Sequence, residues 1–300
     1  MPEGPEIRRA ADQISAVLVD RPLEKVFFAR DSFPELARRS KDLVGQRVLR
    51  VDTHGKAMLT RLDGGQTIYS HNQLYGRWKV CPRGTLPDTN RSLRLALHTA
   101  EHSALLYSAS EIALLSSDEE NRHPFLARLG PDILGTELDW QAVRDRMISP
   151  EFRRRSLAAL YVDQHFLAGI GDYLRSEILF AARLNPWSKP GELNNQALAR
   201  LGRQTLAITK RSYKTGGLTN PPGLIRRLSD HWLSIHKNSE SPEQKHRVDK
   251  EAIRFAVFRR GGEPCYTCNT RIERTNMSSR ALYYCPACQQ ISQQLRDPLT

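Results

Sequence analysis

Cys265-Tyr266-Thr267-Cys268 and Cys285-Pro286-Ala287-Cys288 constrain this chain more than any other stretch. Two Cys-x-x-Cys pairs separated by 16 residues match a closed tetrahedral site for one structural zinc, with Cys265, Cys268, Cys285 and Cys288 as ligands. Each pair then sits at the tip of a β-turn, and the chain between them folds back as a hairpin. Four protein ligands leave no open coordination position, so the metal holds shape and performs no chemistry. The hairpin tip is Thr275–Arg280, and Arg280 lacks an acidic neighbour in sequence. It suits either a phosphate clamp or a solvated surface arginine. Only Cys81 stands outside the two pairs, and it reads as a small structural residue. Paired cysteines used for metal point to a reducing compartment.

Charge narrows the partners. Lys+Arg number 45 against 33 Asp+Glu, a formal net charge of +12 that favours a polyanion, most often nucleic acid. The chain has 300 residues and 39% hydrophobic content, enough for two domains with cores of their own. No apolar run approaches the ~20 residues of a membrane span, and the N-terminus lacks the basic-then-apolar layout of a signal peptide. The expectation is an intracellular protein, cytoplasmic or nucleoid-associated, monomeric and without a membrane partner.

The N-terminus, Met1-Pro2-Glu3-Gly4-Pro5-Glu6, carries the strongest hint of chemistry. If Met1 is removed, Pro2 presents a free secondary amine. Attack by that amine on a sugar aldehyde carbon gives an iminium ion, an electron sink that acidifies the neighbouring C–H for elimination. Glu3 is then a candidate general acid and Glu6 a second carboxylate. The same six residues also suit a polar leader before a helix, with Glu6 capping it.

Ile7, Ala10, Ala11, Ile14, Val17 and Leu18 recur at helical spacing, predicting an amphipathic helix over about 5–19. From Leu23 to Tyr107 short apolar runs alternate with turn residues such as Asp63-Gly64-Gly65, the pattern of a β-sandwich or barrel. This first domain is expected to close near Gly130-Pro131-Asp132. Helices are expected over Asp139–Met147, Leu157–Gln164, Asp172–Ala182 and Gln196–Lys210, with Gly169 and Gly171 allowing a tight turn between the second and third. That spacing suits a helix-two-turns-helix arrangement. Residues 214–250 read as a long basic loop with one short helix near Leu224–Ile235. The fold class is α+β: an N-terminal β-sandwich with a leading helix (1–132), a helical domain (133–250) and a zinc-finger hairpin (251–300).

Taken together, Pro2-Glu3-Gly4-Pro5-Glu6, His54-Gly55-Lys56, Arg128-Leu129-Gly130-Pro131-Asp132, Phe166–Gly171 with Tyr173–Leu179, Val257-Phe258-Arg259-Arg260 and Ser279–Gln289 resemble the formamidopyrimidine-DNA glycosylase / endonuclease VIII family. The resemblance spans nearly the whole chain. Ser70-His71-Asn72-Gln73-Leu74-Tyr75-Gly76 looks like the endonuclease VIII branch, in which Gln-Leu-Tyr fills the gap left by an extruded base.

The resemblance implies a base-excision repair enzyme acting on damaged double-stranded DNA, mainly at oxidised pyrimidines, with abasic-site lyase activity. It implies Pro2 as Schiff-base nucleophile and Glu3 as proton donor. Lys56 would bind the backbone and assist β-elimination, and Arg280 would grip a phosphate and assist δ-elimination. Gln73, Leu74, Tyr75, Arg128, Gly169, Gly171 and Asp172 would meet DNA. Two alternatives remain: a non-catalytic zinc-finger protein that binds damaged DNA, and a glycosylase preferring oxidised purines.

One position departs from the family pattern. Asp172 stands where the family usually has Asn, and a carboxylate cannot donate to a phosphate. The expectation is that the native protein binds DNA more weakly than its Asp172→Asn variant, or with greater salt sensitivity.

Overall fold

The computed structural model describes residues 2–236, 248–277 and 279–290. Met1, whose removal the Pro2 chemistry requires, lies outside the described residues. So do 237–247, within the expected basic loop, and Ser278 at the hairpin tip. The chain divides into two compact units, Met1–Asp132 with Leu167–Gly169, and Ile133–Phe166 with Ile170 onward.

The first unit opens with α1 (Gly4–Leu18). Pro5 fixes a helical φ in the first turn, and the Glu6 carboxylate reaches back to accept the Glu3 N–H at 3.0 Å, the return half of a capping box. Ile7, Ala11, Ile14 and Leu18 recur every three or four residues and are all buried. They pack into one core with Leu23, Val26, Phe28, Val48, Leu62, Leu95, Leu97 and Leu106.

Apart from Leu23, those partners come from two four-stranded antiparallel sheets. One runs in the order β1 (Lys25–Phe28), β6 (Leu93–His98), β7 (His102–Tyr107), β5 (Arg77–Pro82). The other runs β2 (Val48–His54), β3 (Ala57–Leu62), β4 (Gln66–His71), β8 (Glu111–Ser116). This is the expected β-sandwich. β3 and β4 are buried on both faces, because Ala57, Leu59, Tyr69 and Leu115 form a second small core under Phe125 and Leu126. Two short helices complete the unit, α2 (Pro34–Arg39) and α3 (Ser117–Arg122).

The second unit holds α4 (Trp140–Ile148), α5 (Leu157–Leu160), α6 (Asp172–Ala181), α7 (Asn195–Thr215), α8 (Pro222–Ile235) and α9 (Lys250–Arg254). The hairpin β9 (Glu273–Met277) and β10 (Arg280–Tyr284) pairs antiparallel within the same unit.

Three sequence expectations are corrected here. α5 stops at Leu160, four residues early, because side chains satisfy the backbone that follows. Asp163 Oδ1 accepts the His165 N–H at 2.9 Å, and the Gln164 amide donates to the Val162 and Ile170 carbonyls, an alternative to continuing the helix. α7 runs on to Thr215 and ends at Gly216, whose φ of +74° makes the left-handed cap that favours glycine. The helix expected near Leu224–Ile235 is present as α8, and only its start is corrected, to Pro222. Pro222 stands in the first turn of α8, 14 residues long, where its missing N–H costs nothing. Among the described residues no helix is long and apolar enough to cross a membrane.

Candidate nucleic-acid interface and nucleophile site

The start of α1 is fixed by backbone contacts. Gly4 N–H donates to the Gly169 carbonyl at 2.8 Å, which ties the N-terminus to the 167–169 segment. Gly55, at the β2–β3 turn, has φ +60°, and a Cβ there would lie 2.8 Å from Ala168 Cβ and 3.0 Å from Gly169 N. Only glycine lets the turn approach that closely. The adjacent Lys56 is therefore carried to the same segment, and its side chain is 6% exposed.

A third strand of chain closes the corner. Asp132 Oδ2 accepts the Gly55 N–H at 2.6 Å, the His54 ring bonds the Gly130 carbonyl at 3.1 Å, and Ala168 N–H donates to the Pro131 carbonyl at 2.9 Å. Pro2 is half-buried and Glu3 is 3% exposed. The structure thus brings Pro2, Glu3, Lys56 and Gly169 to one corner. Glu6 caps the helix and pairs with Arg9 at 3.2 Å. Arg128 is exposed on a 3-10 turn, its Nε donating to the Pro124 carbonyl at 2.8 Å.

Gln73-Leu74-Tyr75 forms the tip of a tight turn after β4. Gly76 N–H closes on the Asn72 carbonyl at 2.7 Å, and a Cβ on Gly76 would fall 2.5 Å from that oxygen. Gln73 is left-handed at φ +50°, held by its N–H to His71 Nδ1 at 3.1 Å. That bond requires an unprotonated Nδ1, and burial pushes the His71 pKa down, with Lys56 adding to the effect and Glu111 opposing it. Leu74 and Tyr75 are 57% and 69% exposed. An exposed apolar pair on a rigid turn is what a wedge between bases requires.

In the second unit, Gly171 caps α6 and Asp172 starts it. Asp172 Oδ1 lies 3.7 Å from Arg280 Nη1 and 3.8 Å from Arg175 Nη2, beyond hydrogen-bond length but within ion-pair range. Arg280 opens β10 and is 40% exposed. Arg175, fully buried, donates to the Ala281 carbonyl at 2.7 Å, and Ser176 Oγ accepts the Tyr283 N–H at 3.3 Å. α6 therefore carries the hairpin. Glu177 is 2% exposed. Its carboxylate accepts from Thr219 Oγ1 at 2.6 Å and from the N–H groups of Ala256, Val257 and Phe258 at 2.9, 2.8 and 2.9 Å.

Arg175, Glu177, Asp132 and Glu111 carry no site role in the sequence reading. Arg175 and Glu177 lie in a stretch that carries the family resemblance, yet their partners are far along the chain.

The four cysteine Sγ atoms lie within 4.8 Å of one another, with Cys265–Cys288 at 3.9 Å and Cys268–Cys285 at 3.4 Å. A tetrahedron of Zn–S bonds about 2.3 Å long needs sulfurs about 3.8 Å apart, so the donor set fits zinc. Gln289 braces the second pair, its Oε1 accepting the Cys285 N–H and its Nε2 donating to the Leu184 carbonyl, each at 2.9 Å.

Comparison with known proteins agrees with this geometry. Residues 1–110 match the formamidopyrimidine-DNA glycosylase N-terminal domain, and residues 262–291 match the zinc finger found in FPG and IleRS. Endonuclease 8 of Shigella sonnei is 45% identical over 289 residues, covering 96% of this chain and all of the relative. Endonuclease 8 of Escherichia coli K12 is 44% identical over the same shares. The structure of Lactococcus lactis Fpg in complex with abasic-site DNA superposes with a TM-score of 0.74 at 17% identity, over 96% of this chain and 100% of that one. MutM in complex with carbocyclic 8-oxo-G DNA gives 0.73 at 17% identity, over 97% and 100%. With a buried carboxylate beside Pro2, a closed four-cysteine centre and full-length relatives of this kind, the chain belongs to the formamidopyrimidine-DNA glycosylase / endonuclease VIII family of bifunctional DNA glycosylases and abasic-site lyases.

Proposed function

We propose that this protein removes oxidised bases, mainly pyrimidines, from duplex DNA inside the cell, acting as a monomer, and then cuts the strand through a Schiff base on Pro2. The observation that carries the reading is the corner formed by Pro2, buried Glu3 and buried Lys56 on the Gly169 segment. A base inside a duplex is out of reach, so the nucleotide is rotated out at a cost of roughly a few kcal/mol. Gln73, Leu74 and Tyr75 offset that cost by filling the vacated space. Arg128, Arg280 and the backbone amides at Gly169 and Gly171 hold phosphates, which supply affinity without reading sequence.

The Pro2 amine attacks C1′ while Glu3 protonates the opening sugar ring, and the base departs. The amine must be unprotonated to attack, and the Lys56 ammonium disfavours a second positive charge beside it. The iminium acidifies C2′–H. Loss of that proton expels the 3′ phosphate, with Lys56 assisting, and a second elimination expels the 5′ phosphate, with Arg280 assisting. The product is a one-nucleotide gap flanked by phosphates. Glu6 acts indirectly, fixing the Glu3 backbone. Zinc supplies the rigidity of the hairpin that presents Arg280.

Borohydride trapping on abasic-site DNA tests the nucleophile. The expected result is a covalent adduct whose DNA-linked peptide begins at Pro2. Equal strand cutting after acetylation of the terminal nitrogen, or after Pro2→Ala, would overturn the assignment. Excision of thymine glycol faster than 8-oxoguanine is expected for the substrate class.

A further inference from the structure

Glu111 sits on β8 opposite His71 in strand register, and its two carboxylate oxygens have different partners. Oε1 accepts the hydroxyl of Tyr69 at 2.8 Å, and Tyr69 is fully buried. Oε2 accepts the side-chain amide of Gln73 at 2.6 Å. The first bond anchors the carboxylate to the sheet, and the second ties the first residue of the exposed turn to that anchor. Meanwhile Leu74 and Tyr75 project into solvent, and Arg91 Nη1 holds the Tyr75 carbonyl at 2.7 Å. Of the three turn side chains, Gln73 alone is folded back onto the strand.

We propose that Glu111 is a positioning residue that parks Gln73 and so sets a threshold for inserting the turn into DNA. The inference rests on reading Gln73-Leu74-Tyr75 as the void-filling wedge. For Gln73 to enter a base stack it must leave Glu111, giving up a hydrogen bond to a charged acceptor, which is stronger than one between neutral groups. The loss is the same at every site probed. At a lesion, where stacking is already weak, insertion remains favourable after the loss. At an intact pair it does not, so the parked state dominates there. Parking therefore suppresses opening of undamaged DNA more than opening of damaged DNA.

Duplexes carrying 2-aminopurine test this, one set intact and one set beside an abasic-site analogue, with fluorescence reporting unstacking by the bound protein. Glu111→Ala is expected to raise opening of the intact duplex by roughly three- to tenfold, more than opening at the analogue. Glu111→Gln, which keeps one acceptor oxygen but loses the charge, is expected to restore only part of the native ratio. In a Gln73→Ala background, Glu111→Ala is expected to change nothing further, because no parked amide remains. An unchanged ratio in Glu111→Ala, or an effect that persists undiminished without Gln73, would overturn the proposal. Failure of the wedge reading looks different: Leu74→Ala and Gln73→Ala would then leave the fluorescence at the analogue unchanged.

Discussion

The two units fix their polar groups in different proportions of backbone and side chain. In the first, the corner around Pro2 is held mainly by backbone, Gly4 to Gly169, Ala168 to Pro131 and the Gly55 turn pressed on Ala168, with only the Asp132 and His54 side chains added. Short bonds between chain segments leave no rotamer freedom, which suits a reaction that depends on placing an amine to within an ångström. In the second, the hairpin that carries Arg280 is held by side chains and thiolates: Arg175, Glu177, Gln289 and four cysteines. A five-residue strand pair has too little apolar surface to order itself, so charge and metal do it. The lesson is that the proposed nucleophile is secured mainly by chain geometry, and the proposed phosphate grip by charges that can be removed one at a time.

Metal removal strikes that contrast hardest. Chelation, or Cys285→Ser, is expected to abolish strand cutting and unfold the hairpin, since zinc binding supplies about 10 kcal/mol or more of folding free energy in isolated fingers. Hydrogen exchange should show lost protection over 262–290 with the β-sandwich amides unchanged. Equal loss in the sandwich would break the distinction between the units.

Glu177→Ala comes next. It strands the buried N–H groups of Ala256 and Val257 and the part-buried N–H of Phe258, while the Thr219 hydroxyl keeps the Arg254 carbonyl, so a loss of about 3–5 kcal/mol is expected in urea denaturation. Glu177→Gln should recover part of it. A change below 1 kcal/mol would mean that water replaces the carboxylate, and that the second unit does not depend on it.

In the first unit, the matching lesion is Gly55→Val. The added side chain meets Ala168 and Gly169 from a left-handed backbone, so Lys56 and the segment under Gly4 must shift. Single-turnover base excision is expected to fall about a hundredfold, the cost of a displacement near 1 Å. The melting temperature should drop by only a few degrees. A proportionate loss of both would show that the corner is no more demanding than the rest of the fold.

How much of this was legible follows from distance along the chain. The cysteine spacing, the α1 periodicity and the strand runs are local signals, and each lies where the sequence indicates. The site residues came from motifs that resemble a family, and the corner that joins Pro2, Glu3 and Lys56 became visible only in the fold. Glu111 was not legible, because it meets Gln73 through strand register 38 positions away. Glu177 was not legible either, because its backbone partners lie 79 to 81 positions on. No periodicity encodes such pairs. α8 was under-read for a local reason: Pro221-Pro222-Gly223 looks like a loop until Pro222 takes the first turn of a helix.

The smallest effect separates the two modes most cleanly. Asp172 Oδ1 is buried, has no hydrogen-bond partner among the described residues, and lies between Arg280 and Arg175. It also stands at the N-terminus of α6, where a phosphate would be drawn. DNA must therefore compete with this carboxylate for Arg280. Asp172→Asn removes the competitor and with it one negative charge from the interface. Affinity for an abasic-analogue duplex is expected to rise about two- to fivefold, the worth of a partly exposed ion pair. The salt dependence should become steeper in the variant by up to about 0.9 in log–log slope. With Arg280 beside Asp172, the native protein is expected to bind more weakly than the variant, as the sequence suggests, but with less salt sensitivity. Identical binding curves for the two proteins from 50 to 300 mM salt, roughly the range over which counterion release is read, would show that the carboxylate turns away from the bound phosphate and that Arg280 was never restrained by it.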